Sequence, residues 1–179
     1  MVLGLSGSTL LQGSQPCQHL PMPEVTVRTM TEAEFEQWQL ALARAYADEQ
    51  VAAGNWLPGE ALDRALKGNA DLLPQGLGTP GMLLLSGVLD DGTPMGRLWI
   101  GLGHPRGVAG CAFLYDIEVA DEHRGAGHGR ALLVAGETLA RSHGATALEL
   151  NVFGHNPRAI SLYASTGYRV VAQQMRKEL

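Results

Sequence analysis

The chain has 179 residues, of which 45% are hydrophobic and 17% charged, and its formal net charge is −5. That length holds one domain with a real core and is short for two. The acid excess offers no basic stripe for a nucleic acid, and no apolar run reaches the roughly eighteen residues of a membrane span.

Two cysteines, Cys17 and Cys111, make no disulfide framework and point to a reducing, cytoplasmic home. The opening stretch is rich in Gly, Ser, Gln and Pro, and its first basic residue is Arg28. A secretory signal needs a positive segment before its apolar one. Residues 1–23 are therefore read as a disordered leader and 24–179 as a single domain.

"EVTVRTM" alternates as a strand does. Thr31 and Glu34 form a capping box that opens a helix with Phe35, Trp38, Leu42 and Tyr46 on one stripe. The chain breaks between Asn55 and Gly59, and a second helix carries Leu62, Leu66 and Leu73. "MLLLSGVL", "DDG" and "PMGRLWIGLG" predict a β-hairpin. "CAFLYDIEV" (111–119) is the next strand, followed by a glycine stretch and a helix through Leu132, Leu133, Gly136 and Leu139. "TALELNVF" (146–153), helix "NPRAISLYAST" and "GYRVVAQQMRKEL" complete the chain. A strand–helix–strand unit of this length implies a parallel pair with a right-handed crossover.

"EHRGAGHGRALL" (122–133) concentrates glycine where a strand ends and a helix begins. The first-turn N–H groups of a helix have no internal partner, and glycine lets a ligand approach them closely. With the helix dipole and the charge of Arg124, the stretch predicts a pyrophosphate site. A tight turn with no ligand explains the same glycines. A dinucleotide fingerprint requires G-x-G-x-x-G, whereas the spacing here is G-x-G-x-G, and Glu149, at the distance of a ribose partner, lies inside its strand. No Gly-Lys-Ser/Thr follows to make a P-loop.

"R-G-A-G-H-G" (124–129) resembles the Arg/Gln-x-x-Gly-x-Gly/Ala motif of the GNAT superfamily of acetyl-CoA-dependent N-acetyltransferases. "YDIEV" before it and "LNVFGHNPRAISLYASTGY" after it, with Asn156, Tyr163, Gly167 and Tyr168 in family spacing, extend the resemblance over the C-terminal half. The resemblance implies an α/β fold: a single GNAT-like domain with a mixed central sheet, two splayed parallel strands and flanking helices. It also implies acetyl-CoA as co-substrate, lying between strands 111–119 and 146–153. Backbone groups of Ile117 and Val119 would pair with the pantetheine arm. The pyrophosphate would rest on amides of Arg124, Gly125, Ala126, Gly127, His128, Gly129 and Arg130. Asn156 would cap its helix and contact the pantetheine, and Tyr163 would protonate the departing thiolate.

Side-chain alternation places Cys111, Phe113, Tyr115, Ile117 and Val119 on one strand face and Asp116 and Glu118 on the other. On the next strand Glu149 and Asn151 share the polar face. An alkylamine, with a pKa of about 10, must lose a proton before it attacks a thioester. Glu118 is the first candidate base and Asp116 the second. Asp116 and Asn151, with Trp38 and Trp56 from the first helices, are candidate contacts for an amine substrate. A partly exposed carboxylate that only binds an ammonium, and helix residues that only pack, explain the same positions.

Cys111 has no base beside it in sequence, so direct transfer is expected rather than an acyl-enzyme. His123 and His128 are read as solvated loop residues, and the six scattered histidines imply no metal. After Tyr168 eleven residues remain, enough for one long strand or a bulge with a very short pair. Two functions stay open: an N-acetyltransferase acting on an amine, as monomer or homodimer, or a catalytically silent acyl-CoA-binding sensor. Tyr163 and Glu118 favour the enzyme.

Overall fold

The computed structural model describes residues 23–177; the expected leader, Pro23 apart, lies outside them. In chain order come β1 (Thr26–Thr29), α1 (Glu32–Ala52), α2 (Pro58–Leu72), β2 (Met82–Val88) and β3 (Pro94–Gly101). β4 (Cys111–Val119), α3 (His128–Ser142), β5 (Ala147–Leu150) and α4 (Pro157–Ser165) follow. The sheet order is β1-β2-β3-β4-β5, antiparallel except for the parallel β4–β5 pair that the α3 crossover produces.

The capping box at the start of α1 is formed as the sequence predicts. Thr31 Oγ1 accepts from the Glu34 N–H at 3.3 Å, and the Thr31 N–H donates to Glu34 Oε2 at 2.7 Å. Arg28 grips the same carboxylate with Nη1 and Nη2 of its guanidinium. The expected helix stripes need two corrections. Tyr46 and Leu66 are exposed rather than buried, because α1 and α2 meet through Ala43, Ala47, Ala61 and Ala65. Small side chains bring the two backbones close, so the helices turn their alanine rows inward and leave those larger residues at the rim.

One sheet face packs on α3 through Leu98, Ile100, Ala112, Leu114, Leu132 and Leu133. Gly136 makes this approach possible, since a Cβ there would stand 3.2 Å from Ile100 Cδ1 and closer still to Leu98. That contact explains a glycine in a helix interior, where it costs about 1 kcal/mol against alanine. The other face packs on α1, with Trp38 edge-on to Trp99 at 5.6 Å and Trp99 stacked on Tyr115 at 4.5 Å.

Strict alternation along β4 does not hold. Trp99 pairs with Asp116 and Ile100 with Leu114, so Tyr115 is an extra, bulged residue. Phe113 and Tyr115 therefore face α1, while Ile117 and Val119 turn back to the α3 side. Asp116 and Glu118 consequently join the aromatic residues on the α1 face instead of opposing them. β5 is also shorter than the 146–153 expected, ending at Leu150.

Residues 168–177 form neither the single strand nor the short pair that the sequence offered. Val170, Val171 and Met175 lie exposed along this tail. Arg176 fastens it to the end of α1, donating to Ala53 O at 3.1 Å, Gly54 O at 3.0 Å and Asn55 Oδ1 at 2.6 Å. The last carbonyls of a helix lack internal donors and attract a cation, which gives the guanidinium its anchorage.

Candidate active site

β4 and β5 pair only from Cys111–Ala147 to Leu114–Leu150, whereas β4 runs on to Val119. The bulge at Tyr115 lies where the strands part. Beyond it, no strand among the described residues lies beside the β4 edge remote from β3. The Ala120 N–H donates to Met95 O at 2.9 Å, which turns the even positions toward β3. Backbone alternation then directs the N–H and C=O groups of Ile117 and Val119 into the open wedge.

The glycine stretch closes the end of that wedge. Gly125 and Gly127 have φ of +88° and +90°, which only glycine adopts without strain. Among the described residues, the N–H groups from Gly125 to Gly129 donate to no protein acceptor. They crown the positive end of α3, a ready cradle for an anion. Gly129 has ordinary helical backbone and a different task. A Cβ there would lie 3.6 Å from Leu162 Cδ2 and 3.7 Å from Val119 Cγ2, between the two walls of the wedge.

The basic side chains around the loop are held by the protein. Arg124 donates to Val119 O at 2.8 Å and pairs with Asp121 and Glu118. Arg130 clasps the end of α4, reaching Ser165 O at 3.0 Å and Ser165 Oγ at 2.7 Å. His128 is tied rather than freely solvated, its Nδ1 donating to His123 O at 2.8 Å.

α4 supplies the opposite wall. Asn156 caps it, its Oδ1 accepting from the Ala159 N–H at 3.0 Å, and Pro157 follows at the first helical position. Tyr163 packs against Tyr168 at 5.6 Å, and the Tyr168 hydroxyl donates to Glu137 Oε1 at 2.9 Å. Burial raises the pKa of Tyr163 above the usual phenol range, and the charge of Asp116 raises it further.

The profile of the Acetyltransferase (GNAT) family matches residues 43–168. The chain belongs to this family. It is 36% identical to an uncharacterized N-acetyltransferase, YycN, of Bacillus subtilis, over 87% of this chain and 99% of that one. The YycN crystal structure superposes with a TM-score of 0.80, covering 87% of this chain and 98% of that one. A second B. subtilis protein, the uncharacterized N-acetyltransferase YdgE, is 31% identical over 86% of this chain and 98% of its own. The aminoglycoside N-acetyltransferase AAC(6')-Iy, solved with CoA, shares the fold at a TM-score of 0.57 and 16% identity, covering 89% of this chain and 98% of that one.

As a GNAT acetyltransferase the protein is an enzyme of a family that carries out acetyl-CoA-dependent acetyl transfer. Two carboxylates stand on the α1 face beyond the bulge. Asp116 Oδ2 accepts from Trp38 Nε1 at 3.0 Å and lies 3.5 Å from Arg97 Nε. Burial lifts its pKa above the ordinary aspartate value, while the Trp38 hydrogen bond and the Arg97 charge pull the other way. Glu118 is more exposed and sits between the guanidinium groups of Arg97 and Arg124.

A cleft of about 240 Å³ opens beside Glu118, lined also by Glu34, Gln37, Trp38, Ser86 and Arg97, with Asp116 behind Trp38 and Arg97 rather than on its wall. Trp38 reaches it only in part, being 3% exposed and largely core. Trp56 is engaged elsewhere, edge-on to Tyr46 at 5.4 Å with the Arg64 guanidinium 5.1 Å above its ring. Asn151 is exposed just past the end of β5. Sequence reasoning missed Arg97, whose partners lie on a neighbouring strand, and the Glu137–Tyr168 brace behind Tyr163. It also gave Cys111 no basic neighbour, yet folding brings His104 and Glu149 to it.

Proposed function

We propose that the protein moves the acetyl group of acetyl-CoA directly to an amine, with Asp116 taking the amine proton and Tyr163 supplying a proton to the CoA thiolate. The observation that carries the reading is the open β4 edge beyond Tyr115. It runs from the glycine cradle past Asp116, with Tyr163 on the facing helix. The amine nitrogen attacks the thioester carbonyl and loses a proton. The C–S bond then breaks, and the thiolate takes the Tyr163 hydroxyl proton. A phenol whose pKa is raised stays protonated through neutral pH and remains a donor.

The sequence put Glu118 ahead of Asp116 as base. The Glu118 carboxylate is engaged by the guanidinium groups of both Arg97 and Arg124, so its oxygens already have partners. Asp116 is buried, and its raised pKa brings its basicity nearer to the task. Glu118 is then the counter-charge that holds Arg97 and Arg124 in place. The polar cleft beside Glu118, with Glu34 also on its wall, suits a cationic amine as acceptor.

Steady-state rates with saturating acetyl-CoA test the assignment. Asp116→Asn should lower turnover by about a hundredfold or more, the usual scale for a lost general base. Glu118→Gln should act less on kcat than on KM. A larger kcat loss for Glu118→Gln than for Asp116→Asn would return the base role to Glu118.

A further inference from the structure

Where β4 and β5 are still paired, on the side away from the glycine loop, three potential metal ligands converge. His104 Nε2, Cys111 Sγ and a Glu149 carboxylate oxygen all lie within 4.8 Å of one another. The His104 side chain is wholly buried, and among the described residues its Nε2 has no hydrogen-bond partner, lying 3.5 Å from Glu149 Oε2. Cys111 is buried beside it, and Arg106 holds the other Glu149 oxygen, leaving Oε2 turned inward. A nitrogen, a sulfur and a single carboxylate oxygen form a donor set suited to zinc.

We propose that His104, Cys111 and Glu149 bind a zinc ion that staples the β3–β4 loop, β4 and β5 together where the two strands join. With Zn–N and Zn–O of about 2.0–2.1 Å and Zn–S of about 2.3 Å, tetrahedral donors stand roughly 3.3–3.6 Å apart. The Nε2–Oε2 pair already has that spacing at 3.5 Å. Cys111 Sγ, which now points to Ala112 O at 3.4 Å, closes the remaining gap by rotating toward the pair. Solvent takes the fourth position. The thiolate and the carboxylate balance the two positive charges of the ion, and Arg106 acts as the outer partner that orients Glu149.

Binding has one local consequence. His104 Nδ1 accepts the Arg106 N–H at 3.1 Å, which places the ring proton on Nε2 when no metal is bound. Zinc at Nε2 displaces that proton to Nδ1, so the Arg106 amide must turn to another acceptor.

The test uses the full chain, stripped with a chelator, dialysed and titrated with cobalt(II). One equivalent should bind with a near-ultraviolet thiolate-to-cobalt band, which zinc then bleaches by displacement. Cys111→Ser should abolish the band. Glu149→Gln, at a side chain near the surface that keeps its shape, should weaken binding at least tenfold while the variant stays folded. Cys17→Ser should change nothing. A ¹⁵N spectrum should show the His104 ring nitrogens and the Arg106 amide shifting on zinc addition. Absence of stoichiometric binding, a band that follows Cys17, or full affinity in Glu149→Gln would overturn the site and leave the cluster a hydrogen-bonded clamp. None of these readouts depends on acetyl transfer.

Discussion

The indole N–H of Trp38 meets the carboxylate of Asp116 at 3.0 Å across 78 positions of sequence. It ties α1 to β4 just past the bulge and is a hydrogen bond to the charged form of a buried acid. Such a bond is worth about 1.5–3 kcal/mol. Trp38→Phe keeps the ring and removes the donor, so the pKa of Asp116 should rise further. The acidic limb of the kcat/KM profile should move up by about one pH unit. An unmoved limb in a folded variant would separate Asp116 from proton transfer.

Gly127 and Gly129 should respond differently to the same substitution. Gly127→Ala forces a Cβ onto a φ of +90°, and strain of this kind is on the order of 1–3 kcal/mol, so the melting temperature should drop. Gly129→Ala has ordinary backbone and room for its methyl, and should fold with little change. Its methyl nevertheless enters the wedge between Val119 and Leu162, so calorimetry should show acetyl-CoA affinity at least tenfold weaker. Unchanged affinity would mean that the cofactor does not pass there.

Tyr163→Phe should lower kcat while the acidic limb set by Asp116 keeps its position. The decline at high pH, where wild type loses the phenolic proton, should be absent. Because burial and the Asp116 charge both raise the pKa of this phenol, that decline should lie above pH 10 in the wild type. A wild-type decline well below pH 10, or one that survives in Tyr163→Phe, would remove the tyrosine from the proton inventory.

Stability at low pH should report the start of α1. Arg28 and the Thr31 backbone amide hold the Glu34 carboxyl down to about 2, below its ordinary 4.5. A depressed carboxylate stabilises the fold above its unfolded pKa, and that contribution is lost as pH falls through the folded value. Glu34→Gln should therefore flatten the fall in melting temperature between about pH 4.5 and 2 without touching the neutral-pH acetyl-CoA affinity. An equally steep fall in the variant would place the acid sensitivity elsewhere.

Local chemistry made much of this molecule legible before folding. The capping box of α1, the Asn-Pro start of α4, the limits of β4 and the glycine loop all depend on neighbours a few residues apart, and all are found where the sequence put them. The misses share a different cause. Period-two alternation carries no sign of a bulge, so Cys111 and Phe113 were placed on the same face as Ile117 and Val119. The alanine seam of α1 and α2 was hidden because larger Tyr46 and Leu66 dominate a hydrophobic pattern. The grip of Arg97 on Asp116 and Glu118, and the approach of His104 and Glu149 to Cys111, are contacts between elements that no linear spacing reveals. Residues 168–177 carry apolar alternation, yet a strand also needs an edge to join, and this segment pairs with none among the described residues.

The most direct measurement is CoA thiol release from acetyl-CoA, followed with a panel of primary amines in parallel with calorimetric acetyl-CoA binding. The account predicts that at least one cationic amine drives thiol release well above the amine-free rate. It also predicts that Asp116→Asn suppresses that release by about a hundredfold while binding acetyl-CoA as the wild type does. Tight acetyl-CoA binding with no amine-dependent release would contradict transfer to an amine and leave the wedge as an acyl-CoA-binding site.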